Sequence, residues 1–196
     1  MKDIQFNPQQ AEAISHREGP MIVLSVAGSG KTMVLTERVI HLIEQGFDPA
    51  RLLAITFAKK AVLEIQTRLK NRLDGHGGKA LICTFHSLGF RILRAANKAI
   101  IGFRLVHDGE QLDLFQQAMK KVCLEEDPAV ILSKVSLARN DLISPADLER
   151  SERKEDKQLA QVYSAYELFK RRKRYLDFDD LLCQPYHLFK SNGEIL

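Results

Sequence analysis

The stretch Met21-Ile-Val-Leu-Ser-Val-Ala-Gly-Ser-Gly-Lys-Thr32 decides the fold. Its first half, Met21–Val26, is a near-continuous apolar run and predicts a buried strand. Gly28 and Gly30 then allow a tight turn. Lys31 and Thr32 open a helix whose apolar residues (Val34, Leu35, Val39, Leu42, Ile43) recur at helical spacing as far as Glu44. Strand, glycine turn and helix start aim backbone N–H groups and a positive helix end at one point, which suits a polyphosphate. Ser25, Val26, Ala27, Gly28, Ser29, Gly30, Lys31 and Thr32 follow the pattern G-x-x-x-x-G-K-[ST], with Ser25 in place of the first glycine. Lys31 is expected to reach the β- and γ-phosphates of a nucleotide and serve as the catalytic lysine, and the Thr32 hydroxyl to sit on Mg²⁺. The glycines let backbone approach phosphate without a side chain in the way. The plainer reading is a turn that only joins strand to helix.

Working outward, strands are expected at Leu52–Phe57 and Ala80–Phe85, with a helix over Lys59–Leu73 between them. Gly46, Pro49, Gly75, Gly77 and Gly78 punctuate the turns. Alternation of apolar strands with helices predicts an α/β fold, a parallel sheet with helices on both faces and its ligands beyond the carboxyl ends of the strands. From about residue 107 the pattern turns helical: Asp108–Glu126, Pro128–Asn140 and Pro145–Tyr175, with Asp127-Pro128 and Ser144-Pro145 as cap-plus-proline helix starts. No strand is expected there. A last amphipathic helix spans Asp177–Leu188. The domains expected are therefore 1–106, the first part of the α/β domain; 107–175, an inserted all-helical subdomain; and 176–196, the start of a return to the first domain.

Composition narrows the class. Hydrophobic residues make up 45% of the 196 and charged ones 28%, enough to build a core in a soluble chain. No run approaches the roughly 18 apolar residues of a membrane span. Cys83, Cys123 and Cys183 are too scattered for a zinc site or a disulfide frame, so reduced thiols and a cytoplasmic location are expected. The net charge of +4 mildly favours a polyanionic partner.

Further motifs accompany the loop: Phe6-Asn-Pro-Gln-Gln10 before it, then Ile55-Thr-Phe-Ala-Lys-Lys-Ala-Val-Leu-Glu64, Thr84-Phe-His-Ser-Leu-Gly89 and Leu176-Asp-Phe-Asp-Asp-Leu-Leu182. In this order and spacing the set resembles the N-terminal part of UvrD/Rep-type superfamily 1 DNA helicases, over essentially the whole chain. The resemblance implies a P-loop NTPase (RecA-like) domain that binds ATP and Mg²⁺ and tracks single-stranded DNA up to single/double-strand junctions, in replication, repair or recombination. It implies that Gln10 hydrogen-bonds adenine and favours ATP over GTP; an amide can pair with adenine N6 and N7. Taken alone, Gln10 is a surface helix residue. It also implies that Phe57 stacks on a base, with Thr56 and Lys60 beside it, and that Thr84 and His86 touch the same strand; stacking of this kind is worth about 1–3 kcal/mol per base. The plainer readings are a Phe57 that closes the core and a capping or packed His86. Three departures stand out: Lys59 where the family has asparagine, Met33 where it often has an arginine against adenine, and Val26 where it usually has glycine.

Two charged clusters have bland explanations. Asp177, Asp179 and Asp180 are expected to cap a helix start rather than hold a metal. The run Lys170-Arg-Arg-Lys-Arg174 points all round a helix, so much of it is expected to face solvent, though the resemblance allows a duplex contact. Hydrolysis needs a carboxylate on Mg²⁺, a base for water and arginines for the developing charge. The family's D-E segment after an apolar strand is not found in the sequence. The expectation is a fragment of an ATP-dependent helicase, lacking the C-terminal part of the motor, that binds without turnover. A small phosphotransferase acting on a metabolite and a non-catalytic interaction module stay open as alternatives. Oligomeric state is not read from the sequence.

Overall fold

The structure is a computed structural model that describes residues 5–73, 76–96 and 102–191; Gly75, one of the expected turn residues, lies outside them. The chain forms two compact units, Met1–Phe85 and His86–Leu196.

In the first unit the order is α1 (Pro8–Ser15), α2 (Lys31–Glu44), β1 (Leu53–Thr56), α3 (Lys59–Arg72) and β2 (Leu81–Thr84), with short 3-10 turns at Pro49–Arg51 and His76–Lys79. Strands β1 and β2 pair in parallel with Leu53 opposite Leu81 and Thr56 opposite Thr84. Parallel neighbours need a crossover, and α3 provides it. The helical spacing expected in α2 and α3 is what builds the core. Val39 and Ile40 of α2 meet Ile65 and Leu69 of α3 against Ala54 and Ile82 of the sheet.

The expected strand Met21–Val26 does not form. The segment has no strand pairing, and Ile22 and Leu24 are 87% and 92% exposed. A strand is stable only where a neighbour takes its backbone N–H and C=O groups. Here β1 and β2 pair with each other, and among the described residues no strand pairs with the run. The expected sheet is thus reduced to two strands in this unit.

The second unit opens with α4 (Phe85–Ala96), which starts one residue before the division. It continues through β3 (Arg104–Leu105), α5 (Asp108–Lys121), α6 (Pro128–Asn140), α7 (Pro145–Glu149), α8 (Lys154–Lys173), β4 (Tyr175–Leu176) and α9 (Asp180–Ser191). Its main core joins Phe115 and Met119 of α5, Ile131 and Val135 of α6, and Val162 and Tyr166 of α8. Asp127 and Ser144 cap α6 and α7 as their sequence predicts, each followed by proline at the first turn. Two expectations need correction. The helix expected over Pro145–Tyr175 is two helices, α7 and α8, and Ser151 in the break donates to Asp156 Oδ2 at 2.6 Å. Short strands also exist where none was expected: β3 and β4 pair in parallel, with the Arg104 N–H donating to the Arg174 carbonyl at 2.9 Å. Two residues are too few to leave a period-two pattern.

Beside this strand pair, α9 is anchored through a buried ionic cluster. Asp177 and Asp180 do cap the helix start: the Asp180 N–H donates to Asp177 Oδ1 and the Asp177 N–H to Asp180 Oδ2, both at 2.9 Å. Unlike ordinary caps, both are buried. Arg139 of α6 donates to Asp177 Oδ2 at 2.7 Å and to Asp180 Oδ1 at 2.5 Å. Lys170 of α8 donates to the same Asp177 Oδ2 at 2.9 Å and to Asp180 Oδ2 at 2.8 Å, and the Tyr166 hydroxyl donates to Asp177 Oδ2 at 2.8 Å. Lys170 is buried, so this member of the basic run does not face solvent. Burial alone would raise the Asp177 carboxyl, but Lys170 and Arg139 outweigh it and hold Asp177 well below the usual carboxylate range. Burial likewise works against the charges on Lys170 and Arg139, and the two aspartates outweigh it, keeping both above their usual values.

Candidate functional site

The loop between residues 25 and 32 is shaped as the glycines require. Gly28 and Gly30 have φ of +79° and +86°, the left-handed region that favours glycine. Gly30 is the N-cap residue of α2, with no side chain capping the helix and no acidic residue in its first turn. The positive end of α2 therefore meets the loop without a carboxylate to offset it. Lys31 folds back over the loop, its Nζ donating to the Val26 carbonyl at 2.7 Å and lying 3.4 Å from that of Ser25. Thr32, the expected Mg²⁺ ligand, begins the helix, and its carbonyl accepts from the buried Thr36 hydroxyl at 2.7 Å. Ser29 Oγ is buried with no hydrogen-bond partner among the described residues. A glycine turn, an uncapped helix start, a lysine and an unsatisfied hydroxyl fit an anionic polyphosphate. No group of three or more His, Cys, Asp or Glu side chains that could hold a metal exists among the described residues.

Gln10 stands against this loop. Asn7 and Gln10 form a capping box at the start of α1: the Gln10 N–H donates to Asn7 Oδ1 at 2.8 Å and the Asn7 N–H to Gln10 Oε1 at 3.0 Å. The other end of the amide, Nε2, donates to the Ser29 carbonyl at 3.1 Å. Arg38 of α2 donates to the Ala13 carbonyl at 3.0 Å and also to that of His16, where α1 ends. Sequence reading missed Arg38, since a single arginine on a helix carries no signal of the carbonyls that it meets.

The residues expected to touch a nucleic-acid strand fall at the carboxyl ends of β1 and β2. Thr56 and Thr84 are register partners. Phe57 follows Thr56 and is 85% exposed, so it does not close the core. Lys60 lies in the first turn of α3, whose N-cap residue, Ala58, offers no side-chain cap. Thr84 is buried. His86 belongs to the second unit, where its ring meets Phe178 edge-on at 5.5 Å. Gly89, three residues on, packs so closely that a Cβ there would lie 1.8 Å from the Leu181 carbonyl oxygen. The motif Thr84–Gly89 and the motif Leu176–Leu182 thus pack on each other through α4 and α9, a relation that neither shows in sequence.

The sequence that carries these features matches a known family. The family described as UvrD/REP helicase N-terminal domain matches residues 6–196, and the chain belongs to it. Among curated relatives, the ATP-dependent DNA helicase PcrA of Leuconostoc citreum is 36% identical over 97% of this chain. The PcrA proteins of Staphylococcus aureus (strain Mu50 / ATCC 700699) and Bacillus subtilis (strain 168) are 33% and 34% identical over the same share. The chain spans 27% of the length of each of these relatives. No helix among the described residues is long and apolar enough to cross a membrane.

Proposed function

We propose that this chain is the ATP- and single-stranded-DNA-binding N-terminal part of an ATP-dependent DNA helicase, working in the cytoplasm on single strands and single/double-strand junctions. One observation carries the reading: two left-handed glycines lead into the uncapped start of α2, with Lys31 folded over the turn. ATP would be held by the backbone of residues 25–30 and by Lys31, and the Thr32 hydroxyl would hold Mg²⁺; in a whole helicase the nucleotide would supply the energy for translocation. Lys31 would exchange its bonds to the Val26 and Ser25 carbonyls for phosphate oxygens, which releases the loop as it charges the site. The family match supports a RecA-like sheet for residues 1–106 and 176–196 with a helical subdomain at 107–175.

For DNA, the exposed Phe57 offers a stacking face at the end of β1, with Thr56, Lys60 and Thr84 around it. His86 has a ring partner in Phe178, which supports its acting on a strand through packing as well as contact. The sequence carries no D-E segment after an apolar strand, so the chain binds ATP without turning it over.

The test is equilibrium binding of a fluorescent ATP analogue with Mg²⁺, and ATP turnover, with and without an oligo-dT strand. Lys31→Ala should weaken nucleotide binding by about tenfold or more, the scale of a charge-assisted bond. Phe57→Ala should weaken oligo-dT and leave the nucleotide unaffected. Unchanged nucleotide binding in Lys31→Ala would remove the basis of the reading, and DNA-stimulated turnover would refute the binding-only assignment.

A further inference from the structure

Helix α1, which carries Gln10, has little of its own to hold it. It has eight residues, fewer than a helix needs to stand unaided in water, and of these only Ala13 is buried. Its C-terminal end also lacks the usual means of closing. The C-cap residue His16 has φ of −56°, not the left-handed turn that ties up free carbonyls, and the last turn contains no basic residue. What meets those carbonyls is a cation from another helix. Arg38 of α2 donates through Nη1 to the Ala13 carbonyl at 3.0 Å, lies 3.5 Å from that of Ile14 and donates to that of His16. The guanidinium is half-buried, so these bonds are partly shielded from water, and its charge complements the negative end of the α1 dipole. Seven residues, about two helical turns, separate Arg38 from Lys31 along α2. One helix therefore carries the phosphate-site lysine at its start and the anchor of α1 further on.

We propose that Arg38 is a positioning residue for base recognition: by closing the C-terminal end of α1 it sets where Gln10 stands beside the phosphate loop. Near the other end of α1, Gln10 Nε2 lies 3.1 Å from the Ser29 carbonyl, which puts its amide next to that loop. The inference rests on the nucleotide-binding reading above, with Gln10 as the residue that meets adenine, and it adds the part that holds Gln10 there. Among the described residues the hydrogen bonds of Arg38 all go to α1 and its cap residue. Without them α1 keeps little beyond the packing of Ala13, and Gln10 no longer meets a base in one fixed geometry. Phosphate binding draws instead on the loop backbone and Lys31, so the loss falls on the base and spares the phosphates.

The experiment uses the full 196-residue chain with the variants Arg38→Met, Arg38→Lys and Gln10→Ala, and the double variant Gln10→Ala with Arg38→Met. Calorimetry measures binding of MgADP, MgGDP and Mg tripolyphosphate, and amide hydrogen exchange is followed over residues 11–16 without ligand. Arg38→Met should speed exchange there and weaken MgADP about fivefold, the scale of one neutral hydrogen bond, while Mg tripolyphosphate binds as before. Arg38→Lys keeps a charged donor and should recover part of the MgADP loss. The double variant should bind MgADP no more weakly than Gln10→Ala alone, because the two residues act through one contact. Equal losses for all three ligands would overturn the proposal, as would unchanged exchange or additive losses in the double variant. Should Arg38→Met fail to fold, Arg38→Lys decides: a smaller MgADP loss with tripolyphosphate binding intact is expected, and equal losses overturn. If the parent chain binds MgADP and MgGDP alike and Gln10→Ala changes neither, the assignment of Gln10 to the base falls, and the role of Arg38 with it. A parent chain that binds none of the three ligands removes the nucleotide-binding reading itself, and this inference along with it.

Discussion

Gly89 shows how much a single missing atom can decide. It stands in α4, and a Cβ would meet the Leu181 carbonyl oxygen at 1.8 Å and its carbon at 2.9 Å. Those are backbone atoms, which cannot swing aside as a side chain does. Gly89→Ala must push α4 off α9, and overpacking of this kind costs about 2–3 kcal/mol. Urea denaturation of the variant should show the midpoint falling with the slope unchanged. In sequence Gly89 is only the last letter of a motif, because what it touches is 92 residues further along the chain. Gly28 and Gly30 are the opposite case. Their need for positive φ arises within the loop itself, so the pattern alone announced it. Phe57 lies between the two. Its position at a strand end was legible, but the choice between core and surface depended on what packs over the end of β1, and nothing does so among the described residues.

Among the elements, the cluster of Arg139, Lys170, Asp177 and Asp180 pins α6 and α8 to the start of α9. Removing one partner leaves a buried charge uncompensated, and such losses run to about 3–5 kcal/mol. Lys170→Met should therefore destabilise the chain far more than Arg172→Met two residues on, whose side chain is exposed; thermal denaturation of the two variants checks this. Acid should act on the same cluster. The Asp177 carboxyl is depressed in the folded chain, so its contribution is complete above its ordinary value of 3.8 and is lost as pH falls through the lower folded value. Lys170 is raised, so its contribution is complete below 10.5 and is lost as pH rises through the higher folded value. Burial pushes the neighbouring Asp180 carboxyl up, which works against this loss, so urea midpoints should fall below about pH 4 by less than Asp177 alone would give, with the acid fall reduced further in a variant that replaces Asp177 and Lys170 together. The capping role of the aspartates was legible from their position ahead of α9. Their cationic partners were not, since Arg139 lies 38 residues before Asp177 and no local pattern links the two. Helices α2 and α6 run over the residues expected because periodicity and caps are local signals; the strand expected at Met21–Val26 failed because pairing is not.

On the scale of the whole molecule, the exposed run Met21–Leu24 is an apolar stretch that pairs with no strand among the described residues. Such a segment can recruit another chain by edge pairing as well as by burial of its side chains. Sedimentation velocity should show association that grows with concentration, and the paired substitution Ile22→Lys with Leu24→Glu should reduce it. Unchanged association in that variant would move the contact elsewhere.

The chain leaves β3 after Leu105 and returns to β4 at Tyr175, and these two strands lie side by side. Everything between them departs and comes home through one doorway a strand's width across. A block joined in this way is a portable cassette: it could be exchanged between relatives, or replaced by a short linker, with little demand on the frame that carries it. The frame would nevertheless hold a record of its occupant. Asp177 and Asp180 stay behind when the cassette leaves, whereas Arg139 and Lys170 travel with it. A transplant must therefore bring two cations in register with those carboxylates, or the recipient must give the carboxylates up.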